Sequence, residues 1–281
     1  MEVQFELYVS TEKFINLVEP FLLYKEAEHN IILSLLLKIK KGAIPAETCL
    51  MSTVVKNEQV LLAFLQIPSN NLIIGTTDFT NEAAIQFAVT KMYELGMWFP
   101  SVIASKPTIG IFVSKWQSIY NRMPRLAMDQ GIYELKKTKQ LMLSSGLMRL
   151  AKGSEVYLIG HWMDEFSRVT PKNPTLEQCL ERAMSTINEE KIYVWEVCGE
   201  PVSMVMKNRE TRNGVVVSWV YTPKEKRGNG YATSLVHQFS EMLLREYKFC
   251  FLYTDLNFPT SNKIYKKIGY KLVCESAMYY L

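Results

Sequence analysis

One short run in the last third of the chain combines a cation, two glycines and a small residue in a pattern suited to phosphate. The run is Arg227-Gly228-Asn229-Gly230-Tyr231-Ala232. If a helix starts directly after it, the helix N-terminus offers unpaired backbone N–H groups and the positive end of its dipole. Glycine lets an anion approach that backbone closely, and Arg227 adds a positive charge. The run therefore predicts a cradle for phosphate or diphosphate.

The elements on either side of this run are predicted to be a strand and a helix. Residues 214–222 have the character of a strand, and Asn213-Gly214 before them is a hairpin signal. The residues after the run repeat apolar side chains at helical spacing, as in Leu235, Val236 and Phe239. Two other phosphate motifs are excluded, because no Gly-x-x-x-x-Gly-Lys-Ser/Thr run exists and Thr233 stands where a dinucleotide fingerprint needs glycine.

A second segment with polar and aromatic residues at a set spacing follows the helix. An apolar strand is predicted at residues 249–254, and a loop and short helix then lead through Asn257 and Asn262 to Tyr265. Together with Arg-x-x-Gly-x-Ala at 227–232, this segment resembles the GNAT superfamily of N-acetyltransferases, whose signature grips the pyrophosphate of acetyl-CoA. The resemblance covers about residues 191–281 and extends weakly upstream to about residue 131.

The resemblance implies an α/β (α+β) chain with a GNAT fold, in which a mixed central sheet with a splayed pair of strands is flanked by helices. It implies acetyl-CoA as co-substrate, no metal, and direct attack of a primary amine on the thioester. A backbone N–H of Val220 or Tyr221 would polarise the thioester carbonyl. The implied cofactor-binding residues are Val220, Tyr221, Thr222, Arg227, Gly228, Asn229, Gly230, Tyr231, Ala232, Asn257, Ser261, Asn262 and Tyr265.

The catalytic residues are expected on the same grounds. Tyr265 matches the family position of the general acid that protonates the leaving thiolate, and its alternative role is packing on the helix face. The sequence departs from the family at Phe258, where asparagine is usual. Asn257 lies one residue earlier, and a shift of one residue changes the direction of the side chain.

The general base is not fixed by the sequence. The predicted fourth strand carries Ser218 and no carboxylate, so Glu196 on an earlier strand is the candidate base. Alternatively, Glu196 is an exposed strand residue without a role in catalysis. Further candidates lie on the early helices of this region, and His237 is predicted on the solvated side of its helix. The early candidates are His161, Asp164 and Glu165.

The first part of the chain carries no chemistry of its own that we can identify. We predict an N-terminal α/β domain at 1–125 and a GNAT domain at 126–281. The first domain has GNAT size, so a degenerate first copy in a tandem arrangement is expected, with an unrelated α/β cap as the alternative. The loop 66–71, the best match there to a phosphate loop, has no glycine cradle.

Composition bounds the remaining possibilities. The 281 residues carry a net charge of +4 without a concentrated basic stripe, which argues against nucleic acid as a partner. The five cysteines form no Cys-x-x-Cys pair, so neither a zinc site nor a redox motif is supported. The N-terminus lacks the basic and apolar regions of a secretory signal, and we expect a cytoplasmic protein without a membrane partner.

Three functions are consistent with these features. The first is an N-acetyltransferase acting on a small-molecule or peptide amine. The second is a non-catalytic CoA-binding regulatory protein, and the third is a GNAT-fold transferase that uses another acyl donor. The acceptor and the oligomeric state are left open by the sequence.

Overall fold

The chain consists of two compact units. The computed structural model describes residues 3–78, 81–168, 174–256 and 259–281. Unit 1 comprises Met1–Ile132 together with Val273–Leu281, and unit 2 comprises Tyr133–Leu272. The domain boundary predicted at 125/126 falls at the first residue of a strand, whereas the division into units falls inside that strand and returns the last nine residues to unit 1.

The same order of elements occurs twice along the chain. Each copy runs strand, two helices, three strands, helix, strand, helix, strand. The first copy consists of β1 (Val3–Leu7), α1 (Thr11–Leu23), α2 (Asn30–Lys40), β2 (Leu50–Lys56), β3 (Gln59–Gln66), β4 (Leu72–Gly75), α3 (Glu82–Glu94), β5 (Ser101–Ser105), α4 (Lys106–Tyr120) and β6 (Arg125–Leu135). The second copy consists of β7 (Leu147–Leu150), α5 (Val156–Ser167), α6 (Leu176–Asn188), β8 (Ile192–Val197), β9 (Glu200–Glu210), β10 (Gly214–Tyr221), α7 (Tyr231–Leu243), β11 (Phe249–Asp255), α8 (Pro259–Ile268) and β12 (Lys271–Tyr280).

Strand pairing repeats in the same way. In unit 1, β1, β2, β3 and β4 pair antiparallel in chain order and β5 pairs parallel with β4. In unit 2, β7, β8, β9 and β10 pair antiparallel in chain order and β11 pairs parallel with β10. The parallel pair needs a crossover, and helices α3 and α7 supply it. The predicted tandem organisation is therefore confirmed.

The last strand of the chain completes unit 1. Ser276 to Tyr280 of β12 pair antiparallel with the five residues of β5. Conversely, Tyr133 and Leu135 at the end of β6 are buried in the core of unit 2. The last strand of the second copy thus pairs in the sheet of unit 1, and the end of β6 packs in the core of unit 2, which the sequence did not predict.

Two cores cover the two faces of the sheet in unit 2. We call them the α7-side core, which contains Leu235, Val236 and Phe239, and the α5-side core, which contains Ile159 and Met163. Strand residues alternate between the two cores, as a pleated strand requires. Trp195 lies in the first core, while its neighbour in sequence Val194 lies in the second.

Local signals explain where the helices of unit 2 begin. The Thr175 hydroxyl accepts a hydrogen bond from the Gln178 N–H at 3.3 Å, and the Gln178 side chain accepts one from the Thr175 N–H at 3.0 Å. This reciprocal pair is the capping box that the sequence predicted for α6.

Across the described residues, none of the helices combines the length and hydrophobicity that a membrane span needs.

Candidate active site

Strands β10 and β11 separate from each other along their length. They pair over three residues only, from Gly214 opposite Phe249 to Val216 opposite Phe251. Both strands continue beyond that point, β10 to Tyr221 and β11 to Asp255, without further pairing between them. The splayed pair expected from the sequence is therefore present, and it leaves unpaired backbone groups facing an opening between the strands.

Strand β10 is irregular where it borders this opening. Its register with β9 shifts between Ser218 and Tyr221, and Trp219 has a φ of 53°. A bulky residue rarely adopts positive φ, and such strain is concentrated at functional sites. A bulge also re-aims the backbone that follows it. Val220, whose N–H is predicted to polarise the thioester carbonyl, comes directly after the bulge.

The loop after β10 leaves the N-terminus of α7 open. Gly230 precedes the helix with a φ of 77°, and no side chain caps the first turn. The N–H groups of Tyr231 and Ala232 therefore have no partner within the helix. Gly228 also has a positive φ, of 85°. Two glycines and an uncapped helix start provide the geometry that the anion cradle predicted at 227–232 would require.

Hydrogen bonds hold the carbonyl groups of this loop. The Asn229 side chain donates to the carbonyls of Lys226 and Arg227 at 3.1 and 3.3 Å. The Ser144 hydroxyl donates to the Asn229 carbonyl at 2.7 Å, and Arg227 Nε donates to the Thr222 carbonyl at 2.9 Å. Four carbonyl groups of this loop are thus engaged by donors within the protein, so fewer acceptors repel an anion at the cradle.

The corresponding helix of unit 1 is closed. The Asn81 side chain caps α3 by accepting a hydrogen bond from the Ala84 N–H at 3.2 Å. By its place in the repeat, the counterpart of the cradle is the segment 76–81, which contains neither glycine nor a basic residue. The loop 66–71 was the wrong counterpart, because Pro68 and Asn70 turn the chain between the antiparallel strands β3 and β4.

Tyr265 lies on α8 and is 7% exposed within the α7-side core. Its ring centroid is 6.0 Å from that of Tyr270, in an edge-on arrangement. Burial raises the pKa of Tyr265 to about 12, so the hydroxyl keeps its proton at neutral pH. A protonated hydroxyl is what a general acid requires. The packing of the ring in the α7-side core explains the position of the side chain.

The start of α8 is tied to the end of β11. The hydroxyl groups of Thr254 and Ser261 lie 3.0 Å apart, and the Asn262 side chain donates to the Asp255 carbonyl at 3.2 Å. Ser261 and Asn262, predicted to contact the cofactor, thus lie where β11 leaves the splay. Asn257 and Phe258 lie outside the described residues.

The structure does not bring Glu196 to the splay. Glu196 lies on β8, which is separated from β10 by β9. Its carboxylate accepts a hydrogen bond from Arg149 Nε, and the other two guanidinium nitrogens bind Glu155 at 2.6 and 3.0 Å. One arginine therefore joins two carboxylates in a fork, and Glu196 is engaged in an ion pair rather than aimed at an acceptor.

Of the three candidates on α5, Glu165 is the one that contacts a splayed strand. The Tyr221 hydroxyl donates a hydrogen bond to the Glu165 carboxylate. Burial, and then this hydrogen bond, raise the pKa of Tyr221 to about 12, which keeps Tyr221 a donor. Asp164 instead pairs with Arg168 at 2.6 Å, and the His161 ring lies against that of Tyr157.

The prediction for His237 was wrong. His237 is 5% exposed, and its Nε2 lies 2.8 Å from the Lys139 carbonyl. The segment 138–146 covers this face of α7, with further hydrogen bonds from Thr138 to Glu241 and between the Ser144 N–H and the Ser234 hydroxyl. Helical periodicity identified the polar face of α7, but gave no signal that a distant segment packs on it.

Comparisons with known proteins agree with the fold described above. Residues 197–280 match the family model described as FR47-like protein. An acetyltransferase from the GNAT family of Colwellia psychrerythraea shares 8% identity at a TM-score of 0.62, over 99% of this chain and 100% of that one. A GCN5-related N-acetyltransferase from Sphaerobacter thermophilus shares 11% identity at a TM-score of 0.60, over 99% and 94%.

A two-copy protein is also among the similar structures. A tandem GNAT protein from the clavulanic acid biosynthesis pathway shares 9% identity at a TM-score of 0.56, over 99% of this chain and 98% of that one. No curated protein matches the chain by sequence. At such identities the structural matches establish the fold, and the activity has to be argued from the site.

Proposed function

Because the chain has the fold of the GNAT superfamily and residues 197–280 match its FR47-like family, we propose that unit 2 is an N-acetyltransferase. It moves an acetyl group from acetyl-CoA to a primary amine of a small molecule or peptide. Unit 1, on this proposal, is a second copy without a coenzyme site.

The observation that carries the proposal is the difference between two equivalent helix starts. Helix α7 begins directly after Gly230, three residues from Arg227, and no side chain caps it, whereas the Asn81 side chain caps α3. An open helix start next to a cation attracts a diphosphate, and a capped start has already used one of its N–H groups. The splay of β10 from β11 adds unpaired backbone for the pantetheine arm.

The proposed reaction is a direct acyl transfer. The amine nitrogen attacks the thioester carbonyl, and the charge that develops on the carbonyl oxygen is stabilised by a backbone N–H at the bulge, from Val220 or Tyr221. The C–S bond then breaks, and the CoA thiolate takes a proton from the Tyr265 hydroxyl. The ammonium group of the acceptor loses one proton before the attack, and we assign that proton to Glu165, which Tyr221 holds at the end of β10. The nitrogen loses a second proton as the C–S bond breaks, and that proton restores the Tyr265 hydroxyl.

Tyr265→Phe tests the proposed acid. The substitution keeps the ring that packs in the α7-side core and removes the proton donor. We expect kcat to fall by roughly 10²-fold, the lower range for loss of a general acid, with the Kd for acetyl-CoA unchanged. Thiol release and titration calorimetry measure the two quantities.

Tyr270→Phe is the matched control for Tyr265→Phe. Tyr270 lies in the same core, and its hydroxyl is 2.8 Å from that of Ser240, so its loss affects stability rather than turnover. Equal turnover for Tyr265→Phe and the wild type would contradict the role of Tyr265 as acid.

Non-catalytic CoA binding is the alternative function. The burial of Tyr265 in the α7-side core supports it, since a tyrosine at 7% exposure has limited access to a thiolate. The observation that would establish it is acetyl-CoA binding without thiol release for any amine offered. Profiling other acyl-CoA donors for thiol release separates both functions from a transferase that uses a different acyl group.

A further inference from the structure

Two arginine side chains lie over aromatic rings of the two splayed strands. Arg182 on α6 has its Cζ 5.0 Å from the ring centroid of Trp219, and Arg209 on β9 has its Cζ 5.7 Å from that of Tyr253. Trp219 lies beyond Val216, the last residue of β10 that pairs with β11. Tyr253 likewise lies two residues beyond the last paired residue of β11. One guanidinium group therefore lies over the unpaired part of β10, and the other lies over the unpaired part of β11.

Both rings belong to the α5 side of the sheet. Trp219 packs against the α5-side core, and its ring centroid is 5.1 Å from that of Phe166. Tyr253 follows Leu252, which lies in the α7-side core, so Tyr253 points to the opposite face. Tyr221 and Glu165, proposed above to serve the amine, are joined on this same side.

The two guanidinium groups differ in exposure, because Arg182 is an exposed residue whereas Arg209 is half-buried. Within the described ranges, no carboxylate forms an ion pair with Arg182 or Arg209, and Arg209 Nε is buried without a hydrogen-bond partner. Arg149, by contrast, binds two carboxylates. Burial lowers the pKa of Arg209, and partial desolvation followed by the charge of Arg209 lowers that of Arg182. A buried guanidinium nitrogen without a partner, such as Arg209 Nε, is unfavourable unless a ligand supplies the anion. Arg182 is exposed, and it adds a second positive charge that such a ligand can reach.

The chemistry of this surface fits an amine that also carries a carboxylate. Guanidinium groups bind carboxylates through parallel N–H donors, and aromatic faces hold the guanidinium planes in position. We propose that the acceptor of unit 2 is an amino acid, whose carboxylate binds Arg209 and Arg182 while its amine lies toward the splay. This inference rests on the proposed function and names its substrate class.

The test compares amino acids with the same molecules lacking the negative charge. The twenty common L-amino acids and their C-terminal amides are offered to the full-length chain with acetyl-CoA, and thiol release is measured. We expect at least one amino acid to be acetylated with a kcat/KM about tenfold or more above that of its amide, the factor that corresponds to one good charged contact.

Arg209→Met, with Arg245→Met as its control, tests whether the preference for amino acids over amides depends on Arg209. Met keeps the apolar stem of Arg209, and the loss of an unpaired buried charge is expected to leave Tm unchanged or raise it. Arg209→Met should lower kcat/KM for the amino acid about tenfold or more and leave the amide unchanged. Arg245 is exposed on the segment after α7, and its substitution should change neither.

The outcomes separate this inference from the proposed function. Equal use of amino acids and amides, or an unchanged preference in Arg209→Met, overturns the substrate class while acetyl transfer stands. Weaker acetyl-CoA binding in Arg209→Met, with selectivity unchanged, assigns Arg209 to the coenzyme and overturns the inference as well.

A binding measurement decides the case without turnover. Each amino acid is titrated into the CoA-saturated chain by calorimetry. Binding that is lost in Arg209→Met supports the site even if no thiol is released, and the absence of any such binding overturns it. The affinity for acetyl-CoA, measured separately, tells whether the coenzyme site itself has failed.

Discussion

At the scale of single residues, the cradle depends on a glycine that no other residue can replace without cost. Gly230 has a φ of 77°, and a Cβ added there would lie 2.7 Å from the Ser144 hydroxyl oxygen. Gly228 has a φ of 85°, but a Cβ there would meet open space. A substitution at either glycine therefore strains the backbone, but only a substitution at Gly230 also makes a steric contact.

We predict that Gly230→Ala weakens acetyl-CoA binding more than Gly228→Ala does. Forcing an L-residue into the left-handed region costs about 1–2 kcal/mol in either variant. Gly230→Ala in addition displaces Ser144 and its hydrogen bond to the Asn229 carbonyl. The Kd for acetyl-CoA from calorimetry measures the difference.

The double variant Gly230→Ala, Ser144→Ala checks the cause of that difference. It removes the clashing oxygen and should recover part of the affinity that Gly230→Ala loses. Equal affinities for the two single glycine variants would contradict the steric role of Ser144.

What the sequence predicts at this scale depends on how local the chemistry is. The run 227–232 could be proposed as a phosphate site because its cation, glycines and helix start are consecutive in the chain. Glu196 could not be judged in the same way, since its partner Arg149 lies 47 residues earlier. The surroundings of His237 and Arg209 could not be predicted either, because they depend on the fold. A distant segment covers His237, and Arg209 Nε is buried without a hydrogen-bond partner.

At the scale of elements, the Arg149 fork joins β7 to its neighbours. Burial alone would raise the pKa of Glu155, but the hydrogen bonds from Arg149 and from the Lys152 N–H, with the charge of Arg149, outweigh it and lower the pKa. A carboxyl group with a lowered pKa stabilises the fold above its unfolded-state pKa. That contribution is lost as the pH falls through its folded-state pKa.

We predict that Glu155→Gln lowers the free energy of unfolding at pH 7 by about 2 kcal/mol, the range for charged hydrogen bonds. The gap to the wild type should close as the pH falls below 4.5, the ordinary pKa of the group, because the wild-type carboxyl then takes up its proton. Urea denaturation at pH 7 and at lower pH measures the gap.

The control for Glu155→Gln is Glu189→Gln. Glu189 pairs with Lys191 at the surface, with its side chain 46% exposed, and such pairs contribute about 0–1 kcal/mol. A gap for Glu155→Gln that stays constant with pH would show that packing, rather than charge, accounts for its stability effect.

Elements themselves were easier to predict than their partners. The helix after the cradle and the capping box of α6 follow from spacing within a dozen residues. The pairing of Ser276 with Ser105 joins residues far apart in the chain, and no local pattern encodes it. The pairing of β12 in the sheet of unit 1 therefore could be seen only in the structure.

At the scale of the whole molecule, the two copies of the repeat have the same order of elements but different residues at the equivalent helix start. Both copies have the crossover helix between parallel strands, but the segment 76–81 holds Asp78 and no cation, whereas 222–230 holds Arg227 and two glycines. An acidic residue at a helix start attracts cations rather than phosphate. Only one of the two equivalent positions is therefore suited to a diphosphate.

We predict that each chain binds one acetyl-CoA. Calorimetry should give a 1:1 stoichiometry, and Arg227→Glu should abolish the binding heat because it places a negative charge beside the diphosphate. Asp78→Asn in unit 1 is the matched control and should leave affinity and stoichiometry unchanged. A second binding event, or heat that survives Arg227→Glu and disappears in Asp78→Asn, would contradict the assignment of the coenzyme to unit 2 and would require unit 1 to bind it without a glycine cradle.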